Sequence, residues 1–224
     1  MPQPNNFGFG EEAALLKESA RKFFAENFPS DRLHAMTASD HNPERMSEAN
    51  WDADLWQQMA ELGWTMVAVP ESAGGLGMPA VAVAGLVEEV GRASFPCPLL
   101  PTLNASYVLA ACGKSGEEAL GDIIAGKSAT LAITNARGSW NAGDTDVVCD
   151  NGILNGTACF VQDARKVDRL LVSARTGTGV ALYWVDASAN GVAIQPDAIL
   201  DLTRDQAHVT FTDVAVQELA TDGV

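Results

Sequence analysis

Gly121-Asp122-Ile123-Ile124-Ala125-Gly126-Lys127-Ser128, continued by Ala129-Thr130-Leu131-Ala132-Ile133-Thr134, is the stretch on which the fold turns. Its first part satisfies the phosphate-loop formula GxxxxGK[ST], which taken alone would indicate an α/β nucleotide-binding domain. A phosphate loop runs from a strand into a helix, so that free amides at the helix N-terminus face the phosphates. Here the order is reversed. Ile123 and Ile124 belong to the last turn of a helix, and a β-type run, Ala129 to Thr134, follows. The junction reads as a helix cap leading into a strand, and nucleoside triphosphate binding is not expected.

The composition on its two sides agrees. Residues 1–120 hold 12 Glu, 4 Asp and 10 β-branched residues, whereas residues 121–224 hold 1 Glu, 12 Asp and 28 β-branched residues. Glu suits helix interiors, Val, Ile and Thr suit strands, and Asp suits turns. The chain therefore reads as α+β: an all-helical domain over residues 1–126, packed on an antiparallel β-barrel or sheet domain over residues 127–224.

Within the helical part, Leu15, Leu16, Ala20, Phe23, Phe24 and Phe28 recur at spacings of three and four, which predicts an amphipathic helix ended by Pro29. A second helix is expected over Asp52 to Leu62, with Leu55, Trp56, Met59 and Leu62 inward. Trp64 to Val69 is a short apolar segment, and Pro70 to Gly77 is a compact loop. Pro79 suits a first helical position, with Val83, Leu86, Val87 and Val90 on one face up to Gly91. A fourth helix covers Leu99 to Ala111. The fifth starts at a capping box of Ser115 and Glu118 and ends near Gly126.

From Ser128 the texture changes to short strands: Ser128 to Thr134, Val147 to Cys149, Ile153 to Leu154, Thr157 to Val161, Arg169 to Ala174, Val180 to Val185 and His208 to Thr212. Asn151-Gly152 and Asn155-Gly156 are turn signals, because Asn and Gly tolerate positive φ. Such hairpins favour antiparallel pairing.

A formal charge of −15 repels phosphate backbones and anionic membranes, so neither nucleic acid nor a membrane surface is an expected partner. No apolar run is long enough for a membrane span, and the opening MPQPNNFGFG lacks the regions of a signal peptide. Cys97, Cys112, Cys149 and Cys159 show no CxxC spacing, which fits reduced thiols and a cytoplasmic protein. His34, His41 and His208 do not form a chelating set, so no metal is expected, and His208 reads as a sheet-surface residue. Neither GxSxG nor GxGxxG occurs.

Trp64-Thr65-Met66-Val67-Ala68-Val69-Pro70-Glu71-Ser72-Ala73-Gly74-Gly75-Leu76-Gly77, followed by Glu88-Glu89-Val90-Gly91-Arg92, resembles the N-terminal helical domain of acyl-CoA dehydrogenases. Leu131-Ala132-Ile133-Thr134, Leu154 to Val161, and Asp201-Leu202-Thr203-Arg204 before Phe211-Thr212-Asp213-Val214 resemble landmarks of that family's middle β-domain. The resemblance runs from about Phe9 to Glu218. It covers two of the family's domains and omits the C-terminal helical bundle, which in the family supplies the carboxylate base.

The resemblance implies FAD as cofactor and α,β-dehydrogenation of an acyl-CoA thioester, with no catalytic residue in this chain and no activity of the isolated chain. Leu131, Ile133 and Thr134 would contact the flavin, Gly138 and Ser139 would lie near its pyrophosphate, Phe160 beside the ring and Gln162 near N5. The family's Thr-Glu-Pro-x-Ala-Gly-Ser-Asp run is here Thr134-Asn135-Ala136-Arg137-Gly138-Ser139-Trp140, shorter and without its acidic residues. Thr134 and Phe160 also read as a strand hydroxyl and a core aromatic. Two roles stay open: an FAD-dependent dehydrogenase chain, or a flavin-free partner subunit of a heteromer. Implied partners are acyl-CoA, further subunits in a homo-oligomer or heteromer, and an electron-transfer-flavoprotein-type acceptor if the protein is active.

Overall fold

The computed structural model describes residues 10–38, 49 and 51–219. His41, the first nine residues and the terminal Val224 lie outside them. Glu11 and Glu12 open helix α1 (Glu11–Asn27), where acidic side chains complement the helix N-terminus. Ala20, Phe24 and Phe28 are buried, whereas Leu15 is exposed. Pro29 does end α1, but the chain re-enters a helix at once, α2 (Ser30–Ala38), which the periodicity does not reveal. Asp52 caps α3 (Ala53–Glu61) by accepting from the Leu55 amide at 2.9 Å. Leu55, Trp56 and Met59 point inward as expected, but Leu62 lies past the last turn and is exposed.

The Trp64–Val69 segment opens with a 3₁₀ turn, Trp64–Met66. The glycine-rich loop folds back on it: the Leu76 amide donates to Met66 O at 3.0 Å and the Gly77 amide to Val69 O at 2.8 Å. Pro79 is the N-cap of α4 (Ala80–Ala93) rather than its first helical residue. Helices α5 (Leu99–Ala111) and α6 (Glu117–Ile124) complete the layer. The Ser115–Glu118 capping box does not form, because Ser115 lies inside a 3₁₀ turn over Gly113–Gly116. Phe24, Phe28, Trp64 and Phe95 stack edge-on or tilted at the centre of this helical core.

After α6, Gly126 (φ 92°) turns the chain into β1 (Ala129–Ala132), and Lys127 Nζ donates to Asp122 Oδ1 at 2.7 Å. The phosphate-loop look-alike is thus a helix end with its lysine paired. The remaining strands are β2 (Val148–Asp150), β3 (Ile153–Gln162), β4 (Arg169–Thr176), β5 (Gly179–Asp186), β6 (Val192–Pro196), β7 (Gln206–Ala215) and β8 (Glu218–Leu219). The sheet order is β6-β7-β3-β2-β4-β5-β8, with β1 also on β4. Most pairs are antiparallel, yet β1 and β2 both run parallel to β4, at Ala129↔Arg169 through Ala132↔Val172 and at Val148↔Arg175. They share one edge of β4 end to end, so the 133–147 loop bridges them without reversing direction.

Asn151-Gly152 is a hairpin turn with φ of 50° and 78°. Asn155-Gly156 is not a turn. Gly156 (φ 126°) sits at a register shift inside β3, where a Cβ would lie 2.5 Å from the Asp146 carbonyl oxygen. The two layers meet through Val69, Leu109, Leu120, Ile123, Ala129 and Leu171. At their rim the Asp122 carboxylate also accepts from Arg169 Nε and Trp184 Nε1, each at 3.0 Å.

Candidate cofactor cleft

The Ala129 amide donates to Thr102 Oγ1 of α5 at 3.0 Å, which sets the start of β1 against that helix. Farther along, the Cys159 amide donates to Thr134 O at 2.8 Å and ties the run-out of β1 to β3. Between these bonds lies a cleft lined by Pro101 and Asn104 of α5, Thr130, Leu131 and Thr134 on the β1 side, Phe160 and Gln162 of β3, and Trp140 from the following loop. Leu131, Thr134, Phe160 and Gln162 are four of the residues expected at a flavin, and the fold brings them together.

Phe160 occupies the left-handed region at φ 56°, within a second register shift of β3 between Ala158 and Val161. An aromatic residue there is strained by roughly 1–2 kcal/mol. The shift leaves its ring 40 % exposed and 5.7 Å from the ring of His208. His208 lies on the sheet surface, as expected, with Nδ1 2.5 Å from Asp197 Oδ1. The Phe160 ring is therefore a cleft wall and not a core aromatic. Thr134 is nearly buried, and its hydroxyl has no hydrogen-bond partner among the described residues.

None of the lining side chains ionises near neutral pH, and burial raises the pKa of the neighbouring Cys159 thiol. The enclosed part of the cleft is about 20 Å³, room for about one water. A planar ring must therefore use the open mouth, walled by Phe160 and Trp140.

Ile133 points elsewhere, into an apolar hollow of about 250 Å³ with Val108, Leu131, Leu171, Val180 and Leu182. Gly138 (φ 77°) and Ser139 sit in the 135–146 loop, outside the cleft. A Cβ on Gly138 would meet nothing within 4 Å, so its backbone conformation, not a close approach, calls for glycine. The four amides around Gly138 are already engaged. Ala136 N donates to Asp146 Oδ2, Arg137 N and Ser139 N to Asn135 Oδ1, each at 3.0 Å, and Gly138 N to Asn135 O at 2.9 Å. Ser139 Oγ donates to Asp144 Oδ2 at 2.7 Å. The cleft offers a threonine hydroxyl, an amide side chain and aromatic walls. The loop does not suit a diphosphate.

Pro101 and Asn104 are lining residues that the motifs do not mark. Their signal is helical: they sit one turn apart, and Asn104 is the lone amide in α5. All four cysteines are buried and unpaired. Among the described residues, no cluster of His, Cys, Asp or Glu could hold a metal, and no helix is long and apolar enough to cross a membrane.

The family model of the acyl-CoA dehydrogenase N-terminal domain matches residues 10–123, just over half of the chain. The chain belongs to the acyl-CoA dehydrogenase family. It is 29 % identical over 139 residues to the acyl-CoA dehydrogenase IpdE2 of Mycobacterium tuberculosis, covering 62 % of this chain and 41 % of that protein. Against the probable acyl-CoA dehydrogenase YdiO of Escherichia coli K12 it is 25 % identical over 205 residues, covering 85 % of this chain and 51 % of YdiO. Among solved structures, a variant of the Tcur3481-Tcur3483 steroid ACAD superposes with a TM-score of 0.73 at 29 % identity, over 94 % of this chain and 57 % of that one. The ChsE4-ChsE5 complex from Mycobacterium tuberculosis gives 0.76 at 22 % identity, over 95 % and 56 %, a likeness of fold. This acyl-CoA dehydrogenase chain thus spans about half the length of the relatives it matches.

Proposed function

We propose that the chain forms part of an FAD-dependent acyl-CoA dehydrogenase that acts on a soluble acyl-CoA thioester in the cytoplasm. The convergence of Leu131, Thr134, Phe160 and Gln162 on one cleft carries this reading. Asn104 and Pro101 bring α5 to the opposite wall, where an acyl group would approach. A bound flavin supplies the hydride acceptor for such a reaction. Abstraction of the thioester α-proton needs a carboxylate, and no cleft side chain provides one. In this reading the base comes from a helical bundle, which also covers the apolar hollow around Ile133 and Val180.

The Tcur3481-Tcur3483 steroid ACAD and the ChsE4-ChsE5 complex support a heteromeric assembly, and the likeness to the structure of the electron transferring flavoprotein of Acidaminococcus fermentans supports an acceptor of that type. The closed 135–146 loop favours a second reading, a flavin-free partner subunit. Anaerobic mixing of the complete assembly with a panel of acyl-CoA thioesters tests the first. Bleaching of a flavin with release of an enoyl-CoA is expected. An assembly that turns over none of them, or whose flavin sits wholly in the other chain, supports the second.

A further inference from the structure

The 135–146 loop lies where the family resemblance implies a diphosphate contact, and it carries Gly138 and Ser139. A loop that binds a diphosphate offers unpaired amides and a positive potential. Here the amides of Ala136 to Ser139 are paired, and the exposed Arg137 is the loop's one cation against Asp144 and Asp146. Four consecutive amides, Ala136 to Ser139, donate within the loop, and two of their acceptors belong to the single side chain of Asn135. Asn135 is itself buried and held, because its Nδ2 donates to Asp144 O at 2.9 Å. The two carboxylates, Asp146 on Ala136 N and Asp144 on Ser139 Oγ, stand where phosphate oxygens would be needed. A diphosphate could reach Ala136 N and Ser139 Oγ only by displacing these carboxylates and sharing the site with their charge, and the other three amides only by displacing Asn135. Like charges within hydrogen-bond range oppose this strongly.

We infer that this chain engages a flavin through the ring end alone, and that Asp144 and Asp146 shut its middle-domain loop to the diphosphate. The inference rests on the cleft being a ring site. It separates two halves of one cofactor that the sequence treats together. The loop amides are spent on fixing the shape of the 135–146 segment, which presents Trp140 at the cleft mouth.

The test uses the full chain, labelled for amide NMR and titrated separately with inorganic pyrophosphate, riboflavin and FAD. The amides of Ala136 to Ser139 should not respond to millimolar pyrophosphate, and the Kd values of FAD and riboflavin should agree within about threefold. The double variant Asp144→Ala, Asp146→Ala should make Ala136 and Ser139 responsive and favour FAD over riboflavin by about tenfold. A saturable pyrophosphate shift at these amides in the unmodified chain, or FAD bound about a hundredfold more tightly than riboflavin, would overturn the inference. A double variant as silent as the parent would overturn the part assigned to the carboxylates. If riboflavin fails to bind while the loop stays silent, the ring-site reading fails and the closed loop stands.

Discussion

The Cys159 amide donates to the Thr134 carbonyl at 2.8 Å, and this bond brings an unpartnered hydroxyl next to an aromatic ring held at positive φ. Thr134 lies two residues beyond β1, and Phe160 lies at a bulge of β3. Neither position is a regular strand site. Bulges re-aim side chains, and strained residues cluster where a ligand must be met. This one turns the Phe160 ring to the cleft mouth.

Thr134→Val keeps the β-branched shape and removes only the hydroxyl. Because that hydroxyl has no hydrogen-bond partner among the described residues, thermal stability should stay within about 0.5 kcal/mol of the parent. In the complete assembly the lost bond is worth about 1 kcal/mol, so flavin affinity should fall about fivefold. Unchanged affinity would show that the side chain makes no contact with the cofactor.

Phe160→Gly should separate strain from function. Glycine adopts φ 56° freely, which offsets the loss of a ring that is 40 % exposed, so stability should change by less than about 1 kcal/mol. Flavin affinity should drop about tenfold through lost stacking. Calorimetry and fluorescence titration of the same preparation read both effects. A large loss of stability would return Phe160 to the role of a core aromatic.

Gly75→Ala tests the back-folded loop. A Cβ at this position would lie 2.2 Å from Val69 O and 2.4 Å from Val69 Cβ, a clash with backbone that a rotamer change cannot relieve. The cost should exceed about 3 kcal/mol, seen as a drop in the denaturation midpoint or failure to fold. A tolerated alanine would mean that the Pro70–Gly77 loop is not pinned to Met66–Val69.

Glu89 is fully buried and joins α4 to α1 by accepting from Arg92 Nε at 2.5 Å and Arg21 Nη2 at 3.1 Å. Burial pushes its carboxyl pKa up, and the hydrogen bonds from Arg92 and Arg21 more than offset this, so the net shift is downward. The stabilisation is therefore present above the unfolded value, about pH 4.3, and is lost as pH falls through the lower folded value. Glu89→Gln should lose about 1–3 kcal/mol near neutral pH. The gap between variant and parent should close in acid, and a gap that is constant with pH would contradict the charged pairing.

Local signals carried the helix-to-strand junction, α4, α5 and the Asn151-Gly152 hairpin. They failed where distant chain decides the local form. Asn155-Gly156 has the composition of a turn, but its glycine is needed because the Asp146 carbonyl approaches the position of its missing Cβ. The parallel placement of β1 on β4 goes with packing of Ala129 and Leu171 against α5 and α6, which no strand's own pattern encodes. Strand β6 has little alternation and ends in Pro196, and the two-residue β8 is held by β5.

At the site, the family landmarks at Leu131, Thr134, Phe160 and Gln162 were legible and do meet. The contact expected of Ile133 is through its backbone, and its side chain lines the apolar hollow. In the Gly138–Ser139 loop, Asn135, which takes three of the amides, lies inside the motif, but Asp144 and Asp146 act from beyond it.

The most direct measurement is the absorption spectrum of the complete assembly that contains this chain, with the flavin released and counted. A stoichiometric flavin is predicted, its spectrum perturbed by Thr134→Val and Phe160→Gly in this chain. An assembly that is colourless even with excess FAD, or whose flavin spectrum ignores both substitutions, would contradict a cofactor site in the α5–β1–β3 cleft.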